Sequence, residues 1–228
     1  MPMTAIPYTT IEVSGSDAFE FLQAQLAADL TDLGPAGLAA WCNPKGRVIC
    51  LFRVTRSGDN ILLALPAELA DDALGRLTMF RFRSKVDFAA RATTAEQLGM
   101  TSGYEEWRLA NLQNGIPEIL AQQSEAFTPH MLNLDLLDAV SVSKGCYPGQ
   151  EIVSRTHFRG ATKRRCLRFE SPVPVSPGDK VSDGDRDVGE VLNAIGRELL
   201  AVVPLDKANQ DLSVAGNTLV NLPLPYLE

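Results

Sequence analysis

Nowhere does the chain stay apolar for the roughly 18–20 residues that a membrane span needs, although 45% of its 228 residues are hydrophobic. No membrane association is expected. The opening MPMTAIPYTTIEVSG lacks a basic stretch and a long apolar core, so no secretory signal is expected and a cytoplasmic location is. Cysteine is scarce, at positions 42, 50, 146 and 166 with no CxxC pair, and histidine is scarcer, at 130 and 157 only. Without paired thiols, and with the histidines far apart in the chain, no metal site is expected. In a cytoplasmic chain the cysteines read as reduced thiols rather than a disulfide framework. Low-complexity tracts are missing, which argues for a folded chain with a sizeable core. A positive overall charge is lacking too. The net charge of −7 argues against general nucleic-acid binding.

Regular texture is what the sequence does have. Residues 5–14 alternate as a strand. SGSDAFEFLQAQL then starts an amphipathic helix, with Ser14 or Ser16 as its N-cap. LAAWC and RVICLFRVT are strand-like and separated by Asn43-Pro44-Lys45-Gly46, where Pro and Gly suit a type I turn. SGDN turns the chain into ILLAL, so residues 38–65 predict an antiparallel meander. Leu69, Leu74, Leu77 and Phe80 fall near helical spacing behind Pro66. SKVDFA returns to strand, residues 91–104 read as a polar connection, and EEWRLANLQ predicts a short helix closed by Gly115 with Pro117 beyond it. NLDLLDAVSVS is read as a turn or short helix running into a strand that ends at Lys144. Past Gly160 the helical pattern stops. KRRCLRFE, DVGEVLNAI, ELLAVVPL and NTLVNLPL are short strands split by SPGD and SDGD, a small barrel or sandwich. The expected fold class is α+β over residues 1–161, followed by an all-β unit over 162–228.

Between these parts stands SVSKGCYPGQEIVSRTHFRG, residues 141–160. Gly145 permits a tight turn and Pro148 suits a first helical position, so Gln150 and Glu151 fall in a first helical turn. Cys146 is then expected just ahead of a helix N-terminus and beside Lys144, two features that favour thiolate. A cysteine that merely fills a tight turn fits the same residues. So do a nucleophile, a redox or transient metal ligand, and a turn in a ligand-binding domain. His157 as the partner base lies about 15 Å along the presumed helix, too far. Charge also gathers here. Lys144, Arg155, Arg159, Lys163, Arg164, Arg165 and Arg168 stand against Glu151 alone on an otherwise acidic chain. A basic island of this kind suits a local anionic partner: a carboxylate-rich small molecule, a phosphate or a short RNA element.

Lys144-Gly145-Cys146-Tyr147-Pro148-Gly149-Gln150-Glu151 resembles the K-G-C-Y-x-G-Q-E signature of the YgfZ family, folate-binding proteins related to the glycine cleavage T-protein, an aminomethyltransferase. SGSDAFEFLQAQLAADL, CNPKGRV, RFRSKVDF, WRLANLQNGIP, NLDLLDAVS, SRTHFRGATKRR and LPLPYLE resemble family segments in the same order, so the likeness covers nearly the whole chain. It implies a T-protein-like folate-binding region with antiparallel sheets and packed helices, then a C-terminal β-barrel. It implies (tetrahydro)folate as cofactor, iron–sulfur proteins or assembly factors as partners, and a role supporting iron–sulfur enzymes, tRNA-modifying ones among them. Trp107 matches a family tryptophan implicated in folate binding. Tyr8 lies where relatives carry another. Arg155, Arg159, Lys163 and Arg164 are candidates to hold the folate's glutamate tail. The stretch near 89–104 is shorter than in many relatives, and the T-protein segment that contributes an acidic pterin anchor falls in the missing part. No equivalent of the T-protein's catalytic aspartate is found, so aminomethyl transfer is not expected. A folate-dependent one-carbon transferase or demethylase and an RNA-binding adaptor remain the competing readings.

Overall fold

Alternating strands joined by tight turns build the first sheet. The computed structural model describes residues 6–160 and 162–227; position 5, the expected start of the first strand, lies outside them. β1 (Tyr8–Ser14), α1 (Ala18–Gln25), β2 (Ala36–Cys42), β3 (Val48–Ser57), β4 (Asn60–Pro66), α2 (Ala70–Phe80) and β5 (Asp87–Ala92) follow in chain order. The strands pair antiparallel in the order β2-β3-β4-β1-β5. Between β2 and β3 the expected turn is present: Gly46 N–H donates to the Asn43 carbonyl at 2.9 Å. On one face of the sheet Ile11, Trp41, Phe52 and Leu63 pack with Leu22 of α1 and Leu77 of α2. Each such fully enclosed side chain contributes about 1.5–3 kcal/mol.

In the chain, α3 (Tyr104–Gln113) and α4 (Gln150–Arg159) come between this sheet and a second one made of β6 (Arg164–Glu170), β7 (Lys180–Ser182), β8 (Asp187–Ile195), β9 (Glu198–Pro204), β10 (Ser213–Val214), β11 (Asn217–Thr218) and β12 (Val220–Leu222). Its order is β11-β10-β7-β8-β9-β6-β12, all antiparallel, a nearly closed barrel. β9 reads ELLAVVP without a polar break because both its faces are covered. Leu199, Ala201 and Val203 pack inside the barrel with Phe169 and Val191. Leu200 and Val202 cluster instead with Ala40, Val48 and Leu51 of the first sheet. The α+β fold followed by a small barrel is therefore as expected.

Local expectations fail in three places. VSVS is not a strand. Ser141 Oγ accepts from the backbone N–H of Ser143 and Lys144, at 3.4 and 3.2 Å, and this local bonding replaces a ladder. Neither Ser14 nor Ser16 caps α1. Asp17 precedes the helix, and its carboxylate accepts from Lys85 N–H and the Ser16 hydroxyl instead of capping. The polar stretch 91–104 is more ordered than its composition predicts, with β5 reaching Ala92 and a 3₁₀ turn at Glu96–Leu98 that buries Leu98.

Candidate functional site

The loop before α4 is held by almost every residue of its motif. Lys144 is buried, and its ammonium donates to the carbonyls of Gln23, Leu26 and Ala28 at 2.6, 2.9 and 2.8 Å. Those oxygens sit at and just past the end of α1, where helix carbonyls lack intrahelical donors. Burial draws the Lys144 amine down to about 8, while its three carbonyl acceptors favour the charged, donating form. Tyr147 is buried, with its hydroxyl donating to the Ser141 carbonyl at 3.0 Å. Gln150 Nε2 donates back to the Lys144 carbonyl at 3.0 Å. Gly149 has φ 80°, and a Cβ there would meet Asn43 O at 2.5 Å and Gly46 Cα at 2.8 Å. The start of α4 thus leans on the β2–β3 turn at a spacing only glycine permits.

Cys146 is what these bonds leave outside. It is exposed, while Cys42, Cys50 and Cys166 are buried. Burial pushes the thiols of Cys42 and Cys166 up to about 12 and that of Cys50 upward as well. The expectation that Lys144 stands beside the Cys146 sulfur needs correction: its ammonium is turned inward onto the end of α1. Gly145 and Glu151 of the same motif are also exposed.

Trp107 and Tyr8, expected to line a ligand pocket, do come together. Both are buried, with rings 5.7 Å apart and edge to face. Tyr104 stacks on Trp107 at 5.8 Å, and the Arg53 guanidinium lies 4.5 Å over the same ring. Trp107 Nε1 donates to the Leu98 carbonyl at 3.0 Å. The sequence reading missed the charged members of this group. Glu118 accepts from the Tyr8 hydroxyl at 2.9 Å, the Tyr104 hydroxyl at 3.3 Å and Arg108 Nε at 3.2 Å. Asn193 of the barrel fixes its backbone through two bonds, one to N–H and one to C=O. Burial, with Glu118 second, holds the Tyr8 hydroxyl well above its usual range, and burial lowers Arg53. Glu118 follows the Gly115-Ile116-Pro117 helix stop, but nothing in its spacing marks it as turned inward. The free volume left among these side chains is about 20 Å³, room for roughly one water.

The basic island divides. Arg164 donates into the barrel, to the carbonyls of Val188 and Val202, and so does not stand free as an anion contact. Arg165 grips Asp135 with two bonds, and Arg168 pairs with Glu198. Arg155, Arg159 and Lys163 are exposed, and among the described residues no ion pair engages them. The histidines, far apart in the chain, meet in space with ring centroids 5.9 Å apart.

Comparison with known proteins gives this geometry a lineage. Residues 163–225 match the CAF17 C-terminal beta-barrel domain. An uncharacterized protein of Haemophilus influenzae is 31% identical over 198 residues, which cover 72% of this chain and 71% of that protein. The tRNA-modifying protein YgfZ of Enterobacter sp. is 28% identical over 99% of this chain and 94% of its own, and that of Escherichia coli O157:H7 is 27% identical over 98% and 92%. The chain belongs to the YgfZ family. The Enterobacter alignment runs over 306 positions against 228 residues here, so this YgfZ-family chain is the shorter one. Among solved structures, glycine cleavage system aminomethyltransferase T from Bartonella henselae matches with a TM-score of 0.73 at 14% identity, covering 97% of this chain and 84% of that one. The chain thus has the T-protein fold.

Proposed function

We propose that this chain is a cytoplasmic, folate-binding accessory protein that supports iron–sulfur cluster assembly or repair and, through it, tRNA-modifying enzymes. Residues 1–161 form the folate-binding region and residues 162–228 the barrel that braces it. One observation carries the reading. In the Lys144–Glu151 motif, Lys144, Tyr147, Gly149 and Gln150 each have an internal bond or close contact to satisfy, whereas Cys146 has none and faces water. A loop so tightly held serves to present that sulfur to a partner protein. The folate would enter at Trp107 and Tyr8. An aromatic wall suits a flat pterin, and the Glu118 carboxylate suits its paired N–H donors. Glu118 already accepts from two tyrosines and an arginine, so it reads as an anchor rather than a catalytic base.

The decisive experiment is complementation of cells that lack their own protein of this family. Wild-type chain should restore activity of an iron–sulfur tRNA-modifying enzyme, and Cys146→Ala should not, although the purified variant melts as wild type does. Limiting iodoacetamide should label Cys146 before the three buried cysteines. Full rescue by Cys146→Ala would end the thiol reading.

A second reading, an RNA-binding adaptor, is favoured by Phe158, which is 70% exposed beside Arg155 and Arg159 on α4. An aromatic face among cations is how single-stranded RNA is held without sequence preference. Salt-dependent binding of tRNA that is lost in Phe158→Ala would establish it.

A further inference from the structure

His130 is an anomaly of the core. It lies in the 3₁₀ turn Pro129–Leu132 and is only 2% exposed, yet neither of its ring nitrogens has a hydrogen-bond partner. Buried polar groups are nearly always satisfied, and a neutral imidazole brings both a donor and an acceptor to be matched. Two further groups converge on it. His157 reaches it from the last turn of α4, and Asp135 from the loop after the 3₁₀ turn. One potential ligand atom from each of the three residues lies within 4.8 Å of the others.

We infer that His130, His157 and Asp135 form a binding site for a divalent first-row transition metal, zinc or ferrous iron. Two imidazoles and one carboxylate, with the remaining positions open, are a donor set that suits these ions. Asp135 is oriented for the task. Arg165 holds its two oxygens at 2.7 and 2.9 Å, and each oxygen keeps a second lone pair. An outer hydrogen bond of this kind commonly fixes a ligating carboxylate. Metal bonds of about 2.1 Å require ligand atoms closer than they now stand. His157, exposed at the helix end, is the group free to close that gap. Ions have a route in as well. His157 and Asp135 line an open cleft of about 690 Å³ whose wall also carries Asp29, Asp32 and Asp138, an acidic approach that raises the local cation concentration. The inference stands apart from the folate reading and from Cys146, neither of which it uses.

The test uses the untagged full-length chain in a Cys146→Ala background, so that the exposed thiol cannot bind the ion. Zn²⁺ alone is titrated by calorimetry, and Co²⁺ is followed by its visible d–d absorption. The expected result is one ion per chain with micromolar or tighter affinity, and Co²⁺ bands displaced by Zn²⁺. His157→Ala alters an exposed residue and should leave the circular dichroism and melting temperature unchanged, while weakening binding roughly tenfold or more. His130→Gln should weaken binding by a similar factor. Absence of binding at millimolar Zn²⁺ would overturn the inference, and so would binding that His157→Ala leaves intact.

Discussion

The Cys146 loop and the Trp107 pocket are built from similar materials to opposite effect. In both, a conspicuous side chain is surrounded by bonded neighbours. In the loop the neighbours bond to one another and to α1, and the thiol is left over. In the pocket Arg53, Tyr8 and Tyr104 surround the indole itself, and about 20 Å³ remains free. The loop is ready to meet a partner as it stands. The pocket must open first, displacing a cation–π contact worth about 0.5–2 kcal/mol. A ligand that opens it therefore binds more weakly than its contacts alone would allow.

The comparison breaks most easily at Lys144. Lys144→Met keeps the apolar stem but strips the donors from three carbonyls, and should cost about 3 kcal/mol. For a chain of this size the melting temperature should fall by roughly 6–12 °C. Cys146→Ala, only two residues along but exposed, should change stability by less than about 0.5 kcal/mol. Equal melting temperatures for the two variants would show that the lysine does not hold the loop. Next in size is Gly149→Ala. A positive φ and a 2.5 Å approach to Asn43 O predict a loss of about 2 kcal/mol in denaturant unfolding. The same variant should free Cys146 from its fixed position and change its alkylation rate.

The pocket is probed by Trp107→Leu. Losing the flat aromatic face should weaken folate binding by roughly five- to tenfold, the equivalent of about 1 kcal/mol of stacking. Because the pocket has to open, wild-type affinity should be weak, about tens to hundreds of micromolar. Fluorescence titration reads this directly, since Trp107 should be quenched while Trp41, buried in the other core, should not. A submicromolar constant would mean that the open form is already populated. No binding by fluorescence or calorimetry would leave a T-protein fold that has kept its cysteine loop without the ligand.

What could be read beforehand follows from how each signal is written in a chain. The meander over residues 38–65, the helix around Trp107 and the strand-rich end are periodic, and the structure has them. The Cys146 loop was legible as a turn ahead of a helix, but the details shift: Gly149 with φ 80°, rather than Gly145, is the glycine its geometry needs, and Pro148 precedes the Gly149 N-cap instead of opening the helix. Contacts made across the fold left no such trace. The Lys144 side chain reaches back to α1, Arg164 enters the barrel instead of facing an anion, and Glu118 turns in beside Tyr8. The separation of His130 and His157 in sequence argues against a shared site, yet α4 packs against the 3₁₀ turn and brings them together. Composition cannot reveal such meetings, because each depends on where two elements dock.

The smallest effect is the one that asks whether loop and pocket serve a single ligand. Folates carry glutamate tails, and a tail anchored at Trp107 that extended as far as α4 would meet Arg155, Arg159 and Lys163, the exposed bases of the island. Exposed ion pairs contribute about 0.2–1 kcal/mol each, and an ordered tail loses chain entropy that offsets part of this. The net gain of a polyglutamate over a monoglutamate should therefore be only about two- to fivefold at low salt. It should shrink as ionic strength brings the screening length to roughly 10 Å and below. Replacing all three bases with alanine should erase the difference and leave monoglutamate affinity unchanged, since none of the three lines the pocket. A calorimetric series with one and five glutamates at two salt concentrations reads both effects. A salt-sensitive gain would join the two regions into one extended site. Equal affinities at low salt would make them independent, with α4 and its cations left for a macromolecular partner of the cysteine loop.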